Sequence, residues 1–509
     1  MKNNIYYILM NKKYNMDYKN YFTDYRTCML IYLAFIIVFI FAMFTEENFA
    51  HPQNEVIFII LVSIIGLISI YYSYKNKFDY PKVALVLIII FGLLMVFFTP
   101  PFSFIDEPAH YTRSELITEG SLYPEFSDKG IYIDDYYFVF QQSYSGTTIL
   151  TENNHYDNPI TGHKGYWEWT TSSPVYSYLI SALGILLAKL LNLPAIWALY
   201  LSRIANLIFY GAIAYFMIKI IPKYKLPLLI FATMPLCISQ VSSLSYDAFI
   251  LTFTLIIITY FIKMYSGEVN GKNLAIFFIS ILLISLIKQP YLMLSFLTLI
   301  IPFKDKKQAT YAGLSVLAII LLSVFSASSS FTSLFVATST FSHNPSVPAN
   351  TSIMGQVNFL LSSPLNILAF FKNIIVSIPD LFILKSSFFH YGDYKGMKLI
   401  NILYVVFFIA FSLFYKIDIK FKKKERIITA LIFLITYIGI YAVFYLNWTT
   451  VGLNTILGVQ SRYFLPIIML IPLVINGKFE KIENKEMYIF TFIIICLAGL
   501  FLLPITHFY

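Results

Sequence analysis

The sequence predicts an all-α polytopic membrane protein with about 13 transmembrane helices. Three observations lead there. Of 509 residues, 58% are apolar and only 12% are charged, about half the roughly 25% charged share of ordinary soluble domains. The apolar residues gather into runs close to the ~20 residues a helix needs to cross a hydrocarbon core about 30 Å thick. The charges lie between those runs and are segregated by sign, which sets an orientation. This composition excludes a soluble enzyme, a disordered chain and a disulfide scaffold.

Residues 1–28 form a polar, Lys-rich cytoplasmic tail without a small-residue cleavage site, so it is expected to be retained. Spans are expected near 29–44, 55–74, 83–99, 197–218, 226–243, 246–263, 273–287, 290–303, 309–325, 398–415, 427–446, 463–475 and 487–505. The pair 273–287 and 290–303 reads either as two thin helices or as a helix and a re-entrant segment. The apolar run Val175–Leu191 is left outside the spanning set, because only then does the cluster Lys219, Lys223, Lys225 fall inside. With that choice most Lys and Arg are cytoplasmic, including Lys416, Lys420, Lys422, Lys423, Lys424 and Arg426. All seven histidines and all four tryptophans (Trp167, Trp169, Trp197, Trp448) fall outside or at the outer interface. The N-terminus is therefore expected inside, the C-terminus outside, and the chemistry on the outer face.

The resulting organisation is a tail at 1–28, N-terminal transmembrane helices at 29–100, and a first extracytoplasmic segment at 101–196 with an acidic motif and interfacial helices. A transmembrane core at 197–325, a second extracytoplasmic segment at 326–397 and C-terminal transmembrane helices at 398–509 complete it. An amphipathic helix lying in the interface is expected near Leu365–Ile378. The cysteines (Cys28, Cys237, Cys496) show no metal-ligand spacing.

Four motifs carry chemistry. In Pro100–His110 a double proline ends a span, Asp106 stands at an N-cap position, and Pro108 sits just inside the next helix. Glu107 and His110 share one helix face. The two acids can take a proton from a nucleophile, hold a metal or a cation, or simply lie solvated on a capped helix. Lys288-Gln289-Pro290-Tyr291 puts a lysine at a break between two apolar segments, either lining a cavity as a phosphate ligand or snorkelling outward. Gly458–Pro466 places Arg462 at an outer helix end, where the positive-inside rule does not put arginine, beside Gln460 and Tyr463. Arg is the better bidentate phosphate partner; an interfacial anchor or an ion pair is the plainer alternative. Arg203 is a weaker candidate of the same kind. In the turn Ser242–Asp247, Asp247 beside Tyr246 can cap a helix, pair with Arg462 or Lys288, or bind a sugar hydroxyl, and capping is favoured. No Walker A loop, G-x-S-x-G elbow or H-E-x-x-H motif occurs.

These four segments, PPFSFIDEPAH, MP…SSLSYD, KQPY and GVQSRYFLP, resemble in order, from about residue 83 to 475, a large set of uncharacterised bacterial polytopic membrane proteins with a PP…DEPAH motif. That set resembles in turn the GT-C glycosyltransferase superfamily. Ser461 is a small departure, since many relatives have glycine there. The run Val175–Leu191 with the following span and Arg203 looks like the outer-surface helix of the superfamily's aminoarabinose and mannose transferases. The resemblance implies a GT-C-like fold in which Asp106 is the general base, Glu107 its partner and His110 a support. Arg462 and Lys288, with Arg203 and Tyr291, would hold a polyprenyl-phosphate donor. Asp247, Tyr246, Gln460 and Tyr463 would contact substrate. No cofactor is required; a divalent metal at Asp106 and Glu107 is compatible but not demanded.

The function expected is a bacterial cytoplasmic-membrane glycosyltransferase. It would move a sugar from a polyprenyl-phosphate donor to a wall polysaccharide, teichoic-acid-like or other envelope glycan on the outer face, with inversion. Its partners would be the donor, the acceptor glycan and membrane lipids, without nucleic acid. The rivals are a lipid-linked glycan flippase, a polysaccharide polymerase and a non-catalytic envelope scaffold.

Overall fold

In a computed structural model, the described residues are 25–43, 52–122, 126–127, 130–134, 164–167, 170–171, 173–326, 350–378, 395–475, 477 and 486–508. Residues 1–24 of the tail, 327–349 and 379–394 of the second extracytoplasmic segment, and Trp169 lie outside the described residues, and Trp167 is described only in its backbone. The chain divides into two compact units, one built from Met1–Asp79 and Lys481–His507, the other from Tyr80–Glu480.

The first unit contains α1 (Tyr25–Met43), α2 (Pro52–Lys75) and α18 (Glu486–Phe508). Tyr32 on α1 donates its hydroxyl to the Val62 carbonyl of α2 at 2.7 Å. Phe58 and Phe501 meet edge to face, and Phe78 stacks on Phe490.

The second unit carries the four motifs. Its elements are α3 (Tyr80–Phe98), α4 (Glu107–Thr118), β1 (Phe126–Ser127), β2 (Gly130–Asp134), β3 (Lys164–Trp167) and a 3₁₀ turn (Val175–Tyr178) that leads into α5 (Leu179–Leu190). Then come α6 (Ala195–Ile220), α7 (Lys225–Ala232), α8 (Pro235–Val241), α9 (Tyr246–Tyr265), α10 (Gly271–Ile287), a long 3₁₀ helix (Gln289–Ile300) and α11 (Lys306–Ser326). After them follow α12 (Ile353–Ser362), α13 (Pro364–Val376), α14 (Lys395–Phe414), α15 (Lys423–Asn447), a 3₁₀ turn (Ser461–Phe464), α16 (Leu465–Ile468) and α17 (Ile471–Ile475).

The fold is helical, as expected, and crosses the membrane several times. Among the described residues, six helices are long and apolar enough to cross a membrane by length and composition, or seven if the bent pair α12–α13 counts as one span. Three expected spans are instead broken. The segment 226–243 divides into α7 and α8 at Thr233-Met234, where Pro235 starts the new helix. The segment 463–475 splits into three short pieces around Pro466 and Pro472. The segment 290–303 is a 3₁₀ helix of 12 residues, behind an extended Lys288. A second departure is a three-stranded antiparallel sheet, β1-β2-β3, in the first extracytoplasmic segment, with Ile131 opposite Trp167 and Tyr132 opposite Tyr166.

The helix α5 is 12 residues long, about 18 Å, too short to cross alone. It folds back on α6 so closely that Gly184 faces the backbone of the neighbour. A Cβ there would lie 2.4 Å from the Ser202 amide nitrogen, and the Ser202 hydroxyl donates to the Ser181 carbonyl at 2.8 Å. Its other face presents Leu179, Leu183, Leu187 and Leu190, all exposed, at the spacing of one helical stripe. A helix, α13, does occupy the region near Leu365–Ile378. α12 and α13 meet at 111°. On α13 Phe370 packs on Tyr445 of α15, and just past its end Ile378 shares a cavity with Tyr437 of α15.

The approach of α5 to α6 leads to a test. Gly184→Val is expected to destabilise the protein by about 1–3 kcal/mol, the usual range for overpacking. Gly313→Ala, where a Cβ meets nothing within 4 Å, should leave the melting temperature in detergent unchanged or slightly higher.

Candidate functional site

The site begins where α3 ends. Pro100 and Pro101 have no N–H, so the Val96 and Phe97 carbonyls lose their helical donors, and the turn beyond α3 leaves the Thr99 and Pro100 carbonyls outside the helical ladder. Arg203 on α6 supplies replacements. Its Nη1 donates to the Val96 and Thr99 carbonyls, both at 2.9 Å, and its Nη2 donates to Pro100 O at 3.1 Å. The same guanidinium grips Glu107 bidentately, with Nε to Oε1 at 2.8 Å and Nη2 to Oε2 at 2.6 Å. Glu107 also accepts from the Leu244 amide at 3.0 Å. Both side chains are fully buried. The pair thus ties the end of α3, the start of α4, α6 and the turn before α9 to one another.

Asp106 occupies the N-cap position of α4, but its φ of 58° is left-handed and its side chain makes no capping bond. Aspartate is among the few residues that tolerate this conformation. Its carboxylate turns to Arg462 Nη2 at 2.5 Å. Arg462, in the 3₁₀ turn, is buried and its remaining donors are directed. Nη1 reaches Asp247 Oδ2 at 2.9 Å and Gln240 Oε1 at 3.5 Å, and Nε reaches Gln460 Oε1 at 2.6 Å. Asp247 does not cap α9, as was expected from its place in the turn. Ser245 takes that role, accepting from the Asp247 amide at 3.1 Å, which leaves the Asp247 carboxylate for Arg462 and Lys288.

Lys288 stands at the break between α10 and the long 3₁₀ helix. Its Nζ is 3.5 Å from Asp247 Oδ1, an ion-pair separation too long for a good hydrogen bond. Among the described residues Nζ has no hydrogen-bond partner. It lies 3.3 Å from the Tyr463 ring centroid and 5.0 Å from that of Tyr246, an aromatic seat for a cation. Tyr291 donates its hydroxyl to the Tyr463 carbonyl at 2.8 Å, which steadies that ring from behind.

His110 lies on α4 one turn after Asp106, with Nδ1 2.6 Å from the Tyr178 hydroxyl and its ring against Tyr246. Burial pushes its pKa down to about 4, so the imidazole is neutral at physiological pH. Its Nε2 finds no partner among the described residues.

The structure therefore brings Asp106, His110, Tyr246, Asp247, Lys288, Tyr291, Gln460, Arg462 and Tyr463 into one cluster. Glu107 and Arg203 lie beside it as a closed pair. Arg203, expected at a donor phosphate, has its N–H groups directed to Glu107 and to backbone carbonyls. Both Glu107 oxygens accept from Arg203 and Leu244, so Asp106 and Glu107 do not open together as a metal clamp. Among the described residues no group of three or more His, Cys, Asp or Glu side chains is placed to hold a metal ion. Sequence reasoning missed Gln240, whose one signal is an amide in an apolar run, and Tyr178, one of 40 tyrosines. It also missed the buried Glu115, paired with Lys189 of α5, and Arg113, which donates to Leu122 O at 2.6 Å and to Ser173 O at 3.3 Å.

An apolar cavity of about 390 Å³ lies between α14, α15 and the broken helices α16–α17. Tyr437 in its wall packs on Phe464, two residues from Arg462.

Several apolar helices long enough to cross a bilayer define a multi-pass membrane protein. Residues 89–471 match the family described as "Predicted membrane protein (DUF2142)", and the chain belongs to that family. Neither the curated proteins nor the solved structures gave a match.

Removing one partner of a buried pair strands a charge. Glu107→Ala is expected to cost about 3–5 kcal/mol, against under ~1 kcal/mol for Asp106→Asn at a half-exposed site, read as the shift in melting temperature. His110 adds a pH dependence. Its folded pKa of about 4 lies below the unfolded value of 6.5. The unfolded chain therefore binds the proton first, and stability present above pH 6.5 falls as pH drops toward 4, by about 3 kcal/mol in all. Denaturation of His110→Gln beside the wild type should show a shallower loss across that window.

Proposed function

We propose that the chain is a glycosyltransferase that moves a sugar from a polyprenyl-phosphate donor to an envelope glycan at the outer face of the bacterial cytoplasmic membrane. The observation that carries this reading is a half-exposed carboxylate, Asp106, paired with the buried Arg462, with Lys288 held beside them on Asp247. A base must reach an acceptor arriving from water, whereas a phosphate clamp works best when dry. In the proposed step Asp106 takes the proton of the acceptor hydroxyl. The hydroxyl oxygen bonds to the anomeric carbon, the bond from that carbon to the phosphate oxygen breaks, and its electron pair stays on the phosphate. Arg462 and Lys288 stabilise that charge. Attack from the side opposite the phosphate inverts the sugar carbon.

Glu107 and Arg203 support the site by position, holding the Asp106 turn and the Asp247 turn at one distance. Tyr291 acts through Tyr463, whose ring seats Lys288. Tyr246 and Gln460 border the cations as sugar contacts, with His110, whose Nε2 has no partner among the described residues, behind them. The apolar cavity next to Phe464 is suited to a hydrocarbon chain continuing from a phosphate at Arg462. The expected GT-C-like arrangement, with about 13 passes and an inside N-terminus, belongs to the same proposal.

The test uses full-length protein in lipid nanodiscs with labelled polyprenyl-phosphate sugar and an acceptor glycan. Asp106→Asn and Arg462→Ala are each expected to lower transfer by about 10²–10⁴-fold, the range for loss of a general base or a charge-stabilising donor. Transfer by Asp106→Asn at the wild-type rate removes the general-base role. Movement of the lipid-linked sugar across vesicles without any transfer replaces the reading with a flippase.

A further inference from the structure

We propose that Asp106 occupies the place of the ligand phosphate on Arg462, so that phosphate entry displaces the carboxylate and thereby releases the base. The proposal rests on the transferase reading and adds an order to it: phosphate first, active base second.

Charge balance is the first reason. Arg462 and Lys288 stand against Asp106 and Asp247 in one chain of contacts of 2.5, 2.9 and 3.5 Å. His110 beside them is neutral. The buried cluster is therefore already compensated, and a further anion would enter it unpaired. One carboxylate has to leave as a phosphate arrives.

The structure distinguishes the two carboxylates. Asp247 is 6% exposed and is held through both oxygens. Asp106 is 46% exposed, and among the described residues its carboxylate makes one ion pair and no capping bond. It can move to water without stranding a buried charge. Gln460 stays on Nε of Arg462, and Gln240 and Asp247 stay on Nη1, so the Asp106 contact on Nη2 is the one the phosphate takes over. Nη2 then acts with Lys288 Nζ, which has no hydrogen-bond partner among the described residues. Two donors on two cations then face one phosphate.

The exchange also changes Asp106 as a base. While it is bound to Arg462 Nη2 that carboxylate oxygen is occupied, and leaving the arginine frees it to accept from an acceptor hydroxyl. The neighbouring Glu107 cannot take part, because Arg203 and Leu244 hold it and it is fully buried.

The experiment uses full-length protein in nanodiscs, with farnesyl phosphate and inorganic phosphate as probes. Because Asp106 competes for Arg462, Asp106→Asn is expected to bind farnesyl phosphate about tenfold tighter than the wild type, a coupling of ordinary size for two linked sites. Carbodiimide coupling of Asp106, followed by peptide mass spectrometry, should rise when farnesyl phosphate saturates the wild type. In Arg462→Ala it should be high already and insensitive to ligand. Equal or weaker binding by Asp106→Asn, or unchanged carbodiimide coupling, overturns the exchange while leaving phosphate binding intact. If neither wild type nor Asp106→Asn binds either probe, the transferase reading falls together with the exchange. The same tightening with inorganic phosphate supports the exchange and makes the source a free phosphate; tightening with farnesyl phosphate alone supports it with a lipid headgroup.

Discussion

The buried pair of Arg203 and Glu107 is the interaction on which the rest of the site depends. Two consecutive prolines stop α3 and leave its last carbonyls without donors, in surroundings where water is scarce. A guanidinium has five N–H groups in a rigid fork, and here they go to three carbonyls and one carboxylate. Glu107 pays back the charge and adds the Leu244 amide. The turn that carries Asp106 and the turn that carries Asp247 are thereby anchored to the same two side chains. An ion pair of this kind contributes little net stability once desolvation is counted, but losing either half is costly. Its role is to fix position.

Beside it, a second set of acids and cations is arranged for the opposite purpose. Arg462, Asp106, Asp247 and Lys288 balance in charge but not in hydrogen bonds. Lys288 rests on aromatic rings in place of acceptors, and Asp106 reaches into solvent. Adjacent residues 106 and 107 thus have different fates. Glu107 points into the closed pair, while the left-handed backbone at Asp106 turns its carboxylate toward Arg462. One backbone dihedral separates a structural acid from an accessible one.

Backbone breaks do the same work at larger scale. Extended Lys288, the Met234-Pro235 junction and the pieces around Pro466 and Pro472 all interrupt apolar segments near the cluster or the cavity. Irregular backbone at membrane depth is tolerated where protein or a cavity surrounds it. The breaks bring polar side chains from distant segments together, and the cavity wall at Tyr437 packs on Phe464.

Much of this was legible in the sequence. Hydropathy identified a helical, multi-pass protein, because each span must satisfy its own backbone in lipid and only a long apolar run can do so. The residues that break the charge pattern, Lys288 and Arg462, stood out for the same reason, and Asp106 and Asp247 stood out beside helix-starting signals. Tertiary structure alone decided which acid meets which cation. Local signals favoured Asp247 as a cap, yet Ser245 takes that place. Arg203 seemed comparable to Arg462 along the chain, yet carbonyls orphaned by prolines some hundred residues earlier engage it. Apolar runs at 226–243 and 463–475 count as spans by composition, but a proline's missing N–H and the neighbours that compensate for it determine whether the helix continues. Sequence specifies which groups must be buried or paired; only the packed chain, through partners far apart in number, determines which pairs close and which stay open.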